Sequence, residues 1–245
     1  ILMNTMNPSS QHNKSFVPSQ EILSLPSSRH LKDPGSALTH LAGAVLTIIA
    51  GFYLVPRAAM QKNPLTLPAV LIFLTSMFLL YLASTLYHSI HASERITLML
   101  KKADHIMIYF LIAGTYTPVC LLALPGLTGQ ILLGLIWGLA IVGLFLTVVW
   151  VHSPKWLNST IYIAMGWLCV FAFRPLLQTM PPVSFAWLLA GGIVYTIGGI
   201  IYALKLPLFN ALHPGFGSHE IFHLFVLGGS FCHFISISWI SCVHP

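Results

Sequence analysis

With 245 residues, 56% of them hydrophobic and 7% charged, the chain cannot cover itself with an ordinary water-facing surface, where about a quarter of residues carry charge. That excludes a soluble globular protein and leaves one embedded in a bilayer. The formal net charge of +6 does not point to nucleic acid, because the Lys and Arg side chains flank apolar runs and form no basic stripe interleaved with aromatics. They read as topology signals beside a membrane.

Residues 1–33 are rich in Ser, Pro, Asn and Gln and contain no apolar h-region. They read as a flexible polar tail with no cleavable signal peptide, the first span serving as the insertion signal. Residues 34–245 read as one membrane domain. Seven apolar runs follow, near 36–55, 68–91, 104–124, 128–151, 156–174, 184–204 and 219–242. Each is about long enough to cross a hydrocarbon core of about 30 Å. In lipid every backbone polar group needs an internal partner, so runs of this length predict helices. The fold class is therefore an all-α seven-transmembrane helix bundle.

The short Leu124-Pro125-Gly126-Leu127 connector suits antiparallel neighbours, and Gly191, Gly192, Gly198 and Gly199 in the sixth run suit close helix approach. Cys120, Cys169, Cys232 and Cys242 lie in apolar stretches without a CxxC spacing and read as small buried hydrophobes. Counted with the N-terminus inside, the inner segments hold eight Lys and Arg and the outer segments three. The bias predicts a cytoplasmic N-terminus and an external C-terminus, as in a multi-pass protein of the inner (plasma) membrane.

The acidic residues are Glu21, Asp33, Glu94, Asp104 and Glu220. Asp104 and Glu220 open apolar runs, where an ionisable group is costly and usually has a partner or a task. The alternating directions of the spans place Ser84 and His88 near the inner end of the second. Asp104, His219 and His223 fall near the inner ends of the third and seventh. His219 and His223 are four residues apart, so a helix puts both imidazoles on one face. That spacing lets two nitrogens reach one Zn²⁺, and His88 is the third ligand at matching depth. Three histidines with an open fourth position make a catalytic type of zinc site. Asp104 is placed to hold or deprotonate the water there, with Ser84 one turn before His88 to assist it or to stand behind the ligands. His40, His105 and His233 read as satisfied interior or interfacial histidines, and His233 lies about 15 Å deeper than His223. The string His219-Glu220-Ile221-Phe222-His223 also matches the HExxH motif, in which Glu is a general base. A membrane chain excludes a soluble zincin. An intramembrane metalloprotease is disfavoured because no Leu-Asp-Gly segment accompanies the motif.

Several segments together carry a family likeness. They are Ser84-Thr85-Leu86-Tyr87-His88, Asp104-His105, Ala113-Gly114-Thr115-Tyr116-Thr117-Pro118, His219 through Val226, and Cys232-His233-Phe234. In this order the chain resembles the hemolysin III family, the bacterial branch of the progestin and adiponectin receptor (PAQR) superfamily, over roughly residues 33–242. The resemblance implies a seven-helix bundle with zinc on the intracellular side, bound at the positions of His88, His219 and His223. It implies that Asp104 meets the metal through water. In the adiponectin-receptor branch the position of Glu220 is Gln, which implies that Glu220 tunes the site from behind the ligands and is not needed to bind zinc.

Two classes of function remain. One is a lipid amide or ester hydrolase, ceramidase-like, in which zinc-activated water attacks a substrate entering from the bilayer. The other is a non-enzymatic protein, either a sensor that adjusts membrane lipid state or a cytolytic pore. Spans four and six offer almost no polar face, which counts against a monomeric pore. Membrane lipids are the expected partners under both readings.

Overall fold

The computed structural model describes residues 31–124, 126–150, 152–204 and 217–243. Among them, seven helices are long and apolar enough to cross a membrane: α1 (Pro34–Ala59), α2 (Thr66–Ser89), α3 (Glu94–Ala123), α4 (Leu127–Val149), α5 (Lys155–Thr179), α6 (Pro182–Leu204) and α7 (Ser218–Cys242). All seven expected spans are present. The expectation for residues 1–30 lies outside the described residues, as do Pro125 and Lys205. Residues 32 and 33 already pack on the bundle: the Asp33 N–H donates to the His88 carbonyl at 2.9 Å, and the Lys32 ammonium lies 3.9 Å from the Tyr87 ring centre.

One boundary differs in a way that matters. Helix α3 begins at Glu94, ten residues before the apolar run. Hydropathy marks where the chain becomes apolar, whereas the helix starts behind Ser93 with an acidic residue in its first turn, where the helix dipole favours negative charge. Asp104 therefore sits about 15 Å into α3 and does not open it. The polar first turns carry Lys102, whose ammonium donates to the Val148 carbonyl at the end of α4 at 2.8 Å.

Two helices depart from regular geometry beside proline. After Pro118, α3 passes into a π-helical turn over Val119–Ala123. Helix α5 tightens to a 3-10 turn over Trp167–Ala172 just before Pro175. Backbone groups loosened at such breaks need partners inside the protein. Tyr116 supplies them for α5: its hydroxyl donates to the Gly166 carbonyl at 2.7 Å and accepts the Cys169 N–H at 2.9 Å.

The helices form a ring. Helix α1 packs on α2, α2 on α3, α3 on α5, α5 on α6, α6 on α7, and α7 on α1, while α4 lies against α3. Helices α6 and α7 approach closely because glycine leaves room. A Cβ at Gly191 would stand 2.8 Å from His233 Nε2, and one at Gly198 would stand 2.5 Å from Phe225 Cβ. Large apolar side chains such as Phe52, Phe145 and Phe171 point outward, as a lipid-facing surface requires. The starts of α1 and α7, the end of α2 and the third turn of α3 gather at one end of the ring, and the site lies there.

Candidate metal centre

The last turn of α2 delivers His88, and the first turns of α7 deliver His219 and His223. His88 and His223 are each 2% exposed. The Nε2 atoms of His88 and His219 lie 3.2 Å apart, and ligand nitrogens from all three histidines fall within 4.8 Å of one another. Two nitrogens held at about 2.0–2.1 Å from one tetrahedral ion stand about 3.3 Å apart. The first pair meets that spacing, and the whole set is slightly wider.

The partners behind the rings fix which nitrogens are free. His88 Nδ1 is 3.0 Å from Asp33 Oδ2, so this nitrogen donates to the carboxylate and Nε2 keeps its lone pair. His223 Nδ1 donates to the Ser36 carbonyl at 3.3 Å, which likewise leaves Nε2 free. Thr39 Oγ1 stands 3.5 Å from the same Nδ1. Buried lone pairs held to face one another call for a proton or a cation between them. The donor set fits a metal that takes imidazole nitrogen.

Helix α1 and the residue before it were not read as part of this site, yet they supply Asp33, Ser36, Thr39 and His40. Asp33 belongs by composition to the polar tail, which hid it. Its place directly before Pro34, at the start of a span running in the same direction as α7, was the available signal. Glu220 stands behind the ligands: one oxygen accepts the Gly217 N–H at 2.7 Å, which closes the start of α7, and the other accepts the Ser36 hydroxyl at 3.0 Å. Both oxygens are thereby engaged with Ser36 and the start of α7, and Glu220 lies outside the three-histidine group.

Asp104 is buried and lines the same cavity as His219 and His223, with no carboxylate oxygen in the histidine group. Its Oδ2 is 3.7 Å from His105 Nδ1, which donates to the Lys101 carbonyl at 2.9 Å. His105 is thus satisfied, as expected. Ser84 is fully buried, and its hydroxyl has no hydrogen-bond partner, not even a carbonyl of its own helix.

Two histidines correct the sequence reading. His40 is buried with both nitrogens unpartnered, and it stacks on His223 with ring centres 3.7 Å apart and planes at 12°. His233 is also buried with Nδ1 unpartnered. Neither is a satisfied core histidine. Sequence alone places both at interior positions but cannot show which neighbours lack an acceptor.

From the histidines a cavity of about 150 Å³ runs along the inside of the ring. Its α3 wall extends from Asp104 to Val119, a rise of about 22 Å. The lining between is overwhelmingly apolar, with Ile108, Leu111, Phe222 and Val226 along its length.

The sequence profile of the family described as Haemolysin-III related matches residues 29–234. The chain is 42% identical over 195 residues to Hemolysin-3 of Bacillus cereus, covering 80% of this chain and 85% of that protein. It is 39% identical over 202 residues to the Hemolysin-3 homolog of Bacillus subtilis (strain 168), covering 82% and 91%. A shorter match, 38% over 64 residues, joins it to the adiponectin receptor protein of Drosophila melanogaster, covering 24% of this chain and 14% of that one.

Proposed function

This chain belongs to the haemolysin-III family, a branch of the PAQR superfamily, and on that premise we propose that it is a zinc-dependent hydrolase of membrane lipids. The observation that carries the reading is the opening of a three-histidine group onto a long apolar cavity inside a membrane-spanning ring. A structural metal site has no need of such a cavity, and an acyl chain fits its lining.

His88, His219 and His223 would hold the ion through Nε2, with Asp33 and the Ser36 carbonyl fixing the first and last of these rings. Zinc bound there supplies Lewis acidity toward a water and a substrate carbonyl. Asp104, on the cavity wall, would accept the proton as water attacks an amide or ester carbonyl and pass it to the leaving amine or alcohol as the acyl bond breaks. The apolar wall beyond it holds the acyl chain and excludes bulk water. On our reading the excess of basic residues around this end favours the cytoplasmic side of the plasma membrane for the site, with the N-terminus inside. A water-filled pore is the weaker reading, since the described interior offers an apolar lining where a conducting path needs polar groups.

The test is metal analysis of the purified protein joined to a hydrolysis screen over N-acyl and O-acyl lipids, with and without chelator. The proposal expects about one zinc per chain and release of free fatty acid that stops on chelation. Zinc-loaded protein that releases nothing from any acyl lipid would contradict it.

A further inference from the structure

Toward the deep end of the cavity the apolar lining is interrupted on the α7 side, at the last α7 residue that lines it. His233 lines the cavity there, is 7% exposed, and has a buried Nδ1 with no hydrogen-bond partner. Its ring stacks on Tyr195 from α6 at 5.3 Å between centres. The Tyr195 hydroxyl bonds the Ser230 hydroxyl at 2.8 Å, and Tyr81 from α2 donates to the same oxygen at 2.7 Å. Three helices therefore converge on one buried polar cluster whose hydroxyls are satisfied by one another. Only the imidazole is left short of a partner. Gly191 is what admits the ring at this point, since a Cβ there would collide with its edge.

Buried polar groups are nearly always paired, and an imidazole with no protein partner costs stability unless a ligand bonds the ring on its cavity-facing edge, Nδ1 itself being sealed from the cavity. An apolar side chain would fill this wall at no such cost. His233 lies ten residues beyond His223 on the same helix, about 15 Å deeper. Between the two, the cavity presents Val226 on α7 and Ile108 and Leu111 on α3.

We propose that His233 is a specificity-determining residue that hydrogen-bonds an oxygen carried within the ligand's acyl chain, about 15 Å from the metal-binding end. The substrate class is thereby narrowed from acyl lipids in general to those with a mid-chain oxygenated group, such as a hydroxyl. The inference rests on the cavity holding an acyl chain, as in the proposed function, but it does not require turnover.

The experiment uses the full chain in lipid nanodiscs and measures displacement of a fluorescent fatty acid by octadecanoic acid and its monohydroxylated isomers. The isomers carry the hydroxyl near the carboxylate, at mid-chain or near the methyl end. The mid-chain isomer is expected to bind roughly 2- to 10-fold more tightly than a chain with no hydroxyl there, the range of one added hydrogen bond. H233F, which keeps a ring and removes the nitrogens, should lose the preference for the mid-chain isomer over octadecanoic acid. H233Q, which keeps hydrogen-bonding capacity, should retain part of it. A hydroxyl that has no effect at any position, an effect independent of position, or a preference that survives in H233F would overturn the inference. Binding of the mid-chain isomer without hydrolysis of any lipid would leave it standing while removing the hydrolase reading. If none of these acids displaces the probe, the inference falls with the cavity's assignment to acyl chains.

Discussion

At His88 the contact behind the ring matters as much as the ring itself. Asp33 accepts from Nδ1 at 3.0 Å while its own N–H holds the His88 carbonyl at 2.9 Å, so one residue fixes both the tautomer and the end of α2. Carboxylates in this position raise the basicity of the ligand they hold, and their loss typically lowers metal affinity 10- to 100-fold. Asp33→Asn should therefore bind zinc roughly 10- to 100-fold more weakly in competition with a chromophoric chelator, with its helical content unchanged. Equal affinity would assign Asp33 to helix capping alone. His223→Ala should go further and abolish stoichiometric binding, because it removes a ligand. Glu220→Gln should bind zinc like the parent, since its oxygens are engaged with Gly217 and Ser36 and not with the ion.

Among the elements, the site ties α2 to α7 and rests on α1, so a bound ion acts as a clamp between helices. Ligation stabilises the folded state by about 4.1 kcal/mol when free metal exceeds Kd a thousandfold. Chelation should lower the thermal midpoint of the parent by several degrees and leave that of His223→Ala unmoved. A parent midpoint that ignores chelator would show that the metal bears no load. Helices α6 and α7 are held by close packing, and Gly198→Leu would drive a side chain into Phe225, costing about 1–3 kcal/mol of strain. The spans themselves were legible because apolar length is written directly in composition. Hydropathy missed the first ten residues of α3, whose Glu94, Arg95, Lys101 and Lys102 look like a loop. The histidine triad was legible from spacing and span direction together. The support from α1 was not, because Asp33, Ser36 and Thr39 are ordinary polar residues until the fold sets them against His88 and His223.

For the whole molecule, a ring of helices surrounds an apolar cavity that runs inward from the three-histidine end. The direction in which the ring faces is a proposal drawn from its Lys and Arg distribution, and it is open to measurement. In intact cells a membrane-impermeant maleimide should label Lys62→Cys and fail to label Arg95→Cys, with the native cysteines replaced. The reverse pattern would turn the site outward. The most direct test of hydrolysis is the turnover of Asp104→Asn measured beside its bound zinc in one preparation. The amide keeps the shape of the side chain but cannot take up a proton at neutral pH, and a positioned base contributes typically 10²–10⁴-fold. The expected result is a zinc content equal to the parent's with lipid product release slower by roughly that factor. Full activity in the zinc-loaded variant would contradict the role assigned to Asp104, and with it the hydrolytic mechanism built on this site.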